Sequence, residues 1–228
     1  MLSAIAIIPS PPLMVPELAT GAASGLADLR EAVFAAAAAL PDRWVAIGAG
    51  PRDEVVGPHV VGTLAGYGAD VGVTLAPGAS GMPSPLPLCA LITGWVRAQV
   101  NPRASAEVHI HAEGLGGDAA VARGRRLRAE LDADADDVGV LVVADGVRTL
   151  TPQAPGGFDP DSISVQAALD DALAAGDVAA LGRLPEDIVG RVAYQVLAGL
   201  AEPAPRATSE LYRGAPYGVG YFVGVWQP

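Results

Sequence analysis

Apolar runs and helical spacings alternate along the chain. Leu2–Ile8 and Trp44–Ala49 (WVAIGA) read as buried strands, and Val138–Ala144 (VGVLVVA) reads as a central one. Shorter runs at Val71–Leu75 and Ala106–His111 also read as strands, as does the closing Tyr217–Trp226, which alternates Gly with apolar residues. Leu26, Leu29, Val33 and Leu40 recur at helical spacing and predict a helix over Ala22–Leu40. Further helices are expected at Leu86–Val100, Asp118–Leu131, Ser164–Ala175 and Glu186–Leu200, with Asp118 placed to favour its helix dipole. Strands alternating with helices predict an α/β fold: a mostly parallel central sheet with helices on both faces. The stretches Pro77–Pro87 and Pro152–Pro160 read as loops inside one domain spanning residues 1–228, since neither is flanked by a segment able to fold alone.

Composition narrows the function classes. The chain has 228 residues and a net charge of −11, and its 14 basic residues are all Arg. That balance leaves no basic face for nucleic acid. The single cysteine, Cys89, excludes an internal disulfide or a cysteine zinc cluster; inside an apolar helix it reads as a buried hydrophobe. Met1–Pro9 is too short to span a bilayer and lacks a basic leader, so a soluble cytoplasmic protein without membrane contact is expected.

In open α/β sheets ligands gather at the carboxyl ends of parallel strands. Three such ends carry Gly- and Pro-containing loops: Pro9-Ser10-Pro11-Pro12, Gly50-Pro51-Arg52-Asp53 and Asp145-Gly146-Val147-Arg148. They place Ser10, Arg52, Asp53, Asp145 and Arg148 near one rim, either as ordinary turns or as a cleft built from all three. Ser10 lacks the G-x-S-x-G context of a hydrolase elbow, and G-A-G-P-R-D lacks the third Gly of a dinucleotide fingerprint and the Lys of a phosphate loop.

The same loops carry a family likeness. I-I-P-S-P-P-L-M-V-P-E-L (Ile7–Leu18) resembles the P-H-P-P-L-L-x-P-E opening of class III extradiol ring-cleavage dioxygenases, the LigB-like superfamily. A-D-G-V-R-T-L-T-P-Q-A-P-G-G-F-D (Ala144–Asp159) resembles that group's G-D-x-S-H-R-L-T-x-x-A-P-x-G-x-D stretch, and Ala215–Val223 resembles its C-terminal strand. A weaker match is A-I-G-A-G-P-R-D (Ala46–Asp53), where relatives show a strand followed by S-P-H. The resemblance implies a LigB-like sandwich in which two His and a carboxylate hold Fe(II) and a further His acts as acid and base.

This chain departs from that pattern at the decisive positions. Ser10 stands at the first ligand His, Gly50 or Pro51 at the second, and Arg148 at the acid/base His. Arg148 keeps its charge and neither binds a metal nor shuttles protons. The expectation is a divergent, non-catalytic or repurposed member without an iron cofactor, binding a small anionic or aromatic ligand. Arg52 and Arg148 either receive a carboxylate or phosphate, or pair with Asp53 and Asp145 and plug the old cleft. Tyr194, Gln195 and Tyr217 line the cleft or sit at the core's edge. The alternatives are an active metal-dependent ring-cleavage dioxygenase with relocated ligands, and an interaction subunit whose apolar C-terminal strand pairs in a homo-oligomer.

Only His59, His109 and His111 could relocate a metal. His59 reads as a surface residue at a helix start. His109 and His111 share one face of a strand, where Glu113 would complete a triad; otherwise the strand is a solvent-facing edge. Arg123, Arg125, Arg126 and Arg128 fall on several sides of one helix and read as a solvated surface, and the Asp132–Asp137 loop as an exposed acidic segment.

Overall fold

Strands apolar at every position need cover on both sides, and the structure supplies it. The computed structural model describes residues 1–19 and 23–228. Ala22, the predicted start of the first helix, lies outside the described residues. In chain order the elements are β1 (Leu2–Ile8), α1 (Ala27–Ala38), β2 (Arg43–Gly50), β3 (Glu54–Val56), β4 (Val61–Thr63), β5 (Gly72–Thr74) and α2 (Leu88–Val100). There follow β6 (Ser105–Ala112), α3 (Gly117–Ala133), β7 (Val138–Val143), α4 (Ser162–Ala175), α5 (Val178–Leu181), α6 (Arg191–Leu200), β8 (Ala207–Gly214) and β9 (Tyr221–Gln227). Short 3-10 turns at Pro12–Met14 and Pro16–Leu18 begin the connection from β1 to α1.

The main sheet has seven strands in the order β3-β6-β2-β7-β1-β9-β8. Its centre, β6-β2-β7-β1, is parallel, while β3, β9 and β8 join antiparallel. Successive residues along each central strand enter opposite apolar clusters. Ala6, Ile8, Ala46, Leu141 and Val143 pack with α1 and α2, while Ile5, Ile7, Val45, Val140 and Val142 pack with α3, α4 and α6. The period of two therefore accounts for a helical layer against each face.

Four details differ from the sequence pattern. The run at Val71–Leu75 forms β5 of a separate two-stranded sheet with β4, not a strand of the main sheet. β8 (ATSELYRG) has no apolar run because only one strand flanks it and most of its positions are exposed. The helix expected from Glu186 begins at Arg191, and Glu186–Gly190 is irregular. His59 lies exposed in a turn between β3 and β4 rather than at a helix start.

Helices α3 and α6 touch backbone to backbone. A Cβ on Gly124 would sit 2.0 Å from the Val196 carbonyl oxygen, and one on Gly199 would sit 1.9 Å from that of Val121. Gly124, in the middle of α3, costs about 1 kcal/mol relative to Ala, and Gly199 stands one residue from the end of α6; neither position has room for a Cβ.

One buried cation ties the second layer to the small sheet. Arg97 of α2 is only 3% exposed and has no carboxylate partner among the described residues. Its Nε donates to the Thr74 carbonyl at 3.0 Å, one terminal nitrogen to the Pro102 and Ala104 carbonyls at 2.8 and 3.1 Å, and the other to Thr74 Oγ1 at 3.0 Å. Burial pushes its pKa down, and these four acceptors hold the charge in place. Arg97→Met keeps the aliphatic volume but strands the acceptors. Urea unfolding should show a loss of about 3 kcal/mol with an unchanged m-value.

Candidate functional site

The crossovers from β1 to β2 and from β2 to β6 carry α1 and α2 on one face. The crossover from β6 carries α3 on the other face and returns β7 to a place between β1 and β2. The chain direction across the sheet reverses there, so the loops after β1, β2 and β7 meet at a topological switch point.

The loop after β7 is fixed atom by atom. The Ala144 amide donates to the Ile8 carbonyl at 2.9 Å, and the buried Tyr194 hydroxyl donates to the Ala144 carbonyl at 2.8 Å. The Gly190 amide donates to the Asp145 carbonyl, and Gly146 and Val147 exchange hydrogen bonds with Gly220, each at 2.8 Å. Gln166, buried on α4, accepts from the Val147 amide through Oε1 at 2.9 Å and donates through Nε2 to Asp170 Oδ1 at 2.7 Å. A Cβ on either Gly146 or Gly220 would sit 2.0 Å from Gln166 Oε1, so both glycines are there for close approach.

The predicted rim residues separate into distinct settings. Ser10 and Asp145 are brought together: the Ser10 amide donates to Oδ1 at 2.7 Å and its hydroxyl to Oδ2 at 2.8 Å. Burial pushes the Asp145 carboxyl up, opposed by these two bonds. Burial first, and then the Asp145 charge, also raises the Tyr194 and Tyr221 phenols. Tyr217 lies half-buried against the first apolar cluster, its hydroxyl beside Gly25. Tyr194 and Gln195 are core residues of α6, not cleft residues.

Asp53 turns away from both Asp145 and Arg148. Arg123 of α3 grips both its carboxylate oxygens at 2.7 Å, and the Ala112 amide adds a bond at 2.8 Å. Arg123, and then that amide, hold the carboxyl far below the usual range. Arg52 is exposed and, among the described residues, reaches only Glu54, at 3.4 Å. Of the other α3 arginines, Arg125 pairs with Glu202 and Arg128 with Asp132.

Arg148 is exposed and forms no ion pair among the described residues, so it neither pairs with Asp145 or Asp53 nor plugs a cleft. It lines a cavity of about 480 Å³ with Thr149, Ser162, Ile188, Val189 and Val192. Arg191 also lines it but is turned to structural acceptors, the Glu113 and Leu115 carbonyls and Gln195 Oε1, at 3.2 to 3.5 Å. Glu113, Asp159, Glu186 and Asp187 complete the walls, which disfavours a polyanion. Of its apolar residues Val189 is 49% exposed, while Ile188 and Val192 are 2% exposed and border the cavity from the core. Asp159 and Thr149 fall inside the Ala144–Asp159 motif. Gln166 and Asp170 were readable only as two polar residues four apart in the apolar stripe of a helix.

The histidine pair does not assemble a metal triad. His109 and His111 share a face of β6, which lies one strand in from the edge and not at it. His109 Nε2 contacts Glu107 at 2.8 Å, and Arg123 donates to His111 Nδ1 at 3.2 Å. Guanidinium has no lone pair, so Nδ1 accepts and the neutral ring carries its proton on Nε2. Burial, then Arg123, lower the His111 pKa to about 4. Glu113 lies past the strand end in the cavity wall. Among the described residues no three of His, Cys, Asp and Glu are grouped to hold a metal.

Asp170 links the loop scaffold to pH. It is 8% exposed, and burial raises its pKa to about 6 against the hydrogen bond from Gln166. A raised carboxyl pKa gives stability that is complete below about pH 4 and is lost as pH rises through about 6. Asp170→Asn keeps the acceptor for Gln166 and cannot ionise. Thermal unfolding should show the variant more stable at neutral pH, by up to about 3 kcal/mol, with the wild-type decline across this window removed.

No family model matches the chain, and no curated protein does. Among solved structures, the chain is similar to uncharacterized protein JW3007 from Escherichia coli K12, with a TM-score of 0.57 over 99% of this chain and 100% of that one at 10% sequence identity. At that identity the likeness is one of fold.

Proposed function

We propose that this chain is a divergent relative of the class III extradiol dioxygenases that binds a small anionic, aromatic-type ligand and does not cleave rings at iron. The reading rests on the sequence motifs at Ile7–Leu18 and Ala144–Asp159 and on what stands at the resemblance's ligand positions. The Ser10 hydroxyl is committed as a donor to Asp145, Pro51 has no donor side chain, and Arg148 is a cation. A facial triad needs two neutral imidazoles and a carboxylate. Here one carboxylate remains, both of its oxygens are engaged by Ser10, and the residues do not fit Fe(II).

The observation that carries the binding reading is Arg148, without an ion pair among the described residues, in a cavity where Val189 is also exposed. A guanidinium suits a carboxylate through two parallel bonds. Benzoate supplies the anionic head and flat apolar body as a probe. Titrated into the protein, it should give saturable NMR shifts at Arg148, Ile188 and Val192, lost in Arg148→Ala; no saturation at millimolar benzoate would sink the reading. Protein supplied with Fe(II) should show no catechol-dependent oxygen uptake, and turnover would favour the active-dioxygenase alternative.

A further inference from the structure

A second cavity, of about 490 Å³, lies between α4 and the segment that follows α5. It adjoins the Arg148 cavity, since Ile188 borders both. Val165, Ala168 and Ala172 of α4 line it at helical spacing, so this wall follows the helix for about two turns, roughly 10 Å. Ala168 and Pro185 are exposed, and Val165 and Leu184 are half-buried, so the walls present apolar surface to solvent. Leu169 and Ile188 close the floor from the core.

Two polar side chains line this groove, and one is committed. The Ser164 hydroxyl donates to the Asp161 carbonyl at 2.9 Å. Arg183 is exposed and forms no ion pair and no side-chain hydrogen bond among the described residues. Glu202, which shares a neighbouring surface pocket with Arg183, is already held by Arg125 through both oxygens at 2.6 and 2.7 Å. Among the described residues no carboxylate lines the groove, although the chain carries a net charge of −11. The Arg148 cavity, by contrast, is walled by four acids.

We propose that this groove binds an alkyl carboxylate, its chain along α4 against Val165, Ala168 and Leu184 and its head on the Arg183 guanidinium. Apolar walls and a single uncommitted cation call for a ligand with an apolar body and one negative charge. A planar fork with parallel N–H donors suits a carboxylate head. An extended wall open along its length suits a flexible chain, whose burial removes both its own apolar surface and that of the groove from water. The site is separate from the one proposed at Arg148 and does not rest on it.

Octanoate is the probe, titrated into the full chain and followed by NMR. It should saturate a single site, with shifts at Val165, Ala168 and Leu184. Arg183→Gln should weaken octanoate about tenfold while binding 1-octanol, which has a tail and no charge, as wild type does. Ala168→Glu, at an exposed position, should abolish octanoate binding with the circular dichroism spectrum unchanged. Arg148→Ala should bind octanoate as wild type does, which separates this groove from the benzoate site. Octanoate that fails to saturate, that is unaffected by Arg183→Gln or Ala168→Glu, or that is lost in Arg148→Ala would overturn the proposal. So would light scattering that shows wild type associated and Ala168→Glu monomeric, because a second copy would then fill the groove.

Discussion

A buried amide ties the loop after β7 to the elements around it. Gln166 offers Oε1 to the Val147 amide, and Gly146 and Gly220 close around it too tightly for any Cβ. Its nitrogen is committed to Asp170, which fixes which way the amide points. The loop after β7 is therefore bound to α4 and to the entry of β9 at once. A buried amide in this position must be fully paired, since each lost partner would leave a donor or acceptor without water. The fixed loop is what sends the Asp145 carboxylate toward Ser10 and leaves Arg148 at the cavity.

That division separates two chemistries that one rim might have joined. On one side, Ser10 and Asp145 form a closed pair in which both carboxylate oxygens are spoken for. On the other, Arg148 faces a cavity that it lines with the exposed Val189 and several carboxylates.

The central fold was legible because burial on two faces writes itself as unbroken apolar runs: β1, β2 and β7 read directly. The edges were not. β8 is polar because it is exposed, and β3 and β4, at three residues each, are too short for a period to show. At the site, Gly and Pro marked the right loops, and Ser10 with Asp145 met as adjacent strand ends allow. The partners of Asp53 and Arg148 were not legible, because an arginine reaches several ångströms in any direction and only packing decides where. Arg123, read as part of a solvated helix face, spans to the loop after β2.

The use of arginine throughout sharpens what Arg148 means. The chain has no Lys, so every side-chain cation other than histidine carries five donors in a rigid fork. Arg97 spends its donors on backbone and threonine oxygens, Arg123 on Asp53 and His111, and Arg213 on Glu210 and Asp171. By occupying His111 Nδ1, Arg123 also places the ring proton on Nε2. Arg148 differs from these three: it stands at the carboxyl end of the central strand and forms no ion pair among the described residues. Under the binding function proposed above, its donors would receive an incoming anion, and the surrounding acids would restrict that anion to one of low charge.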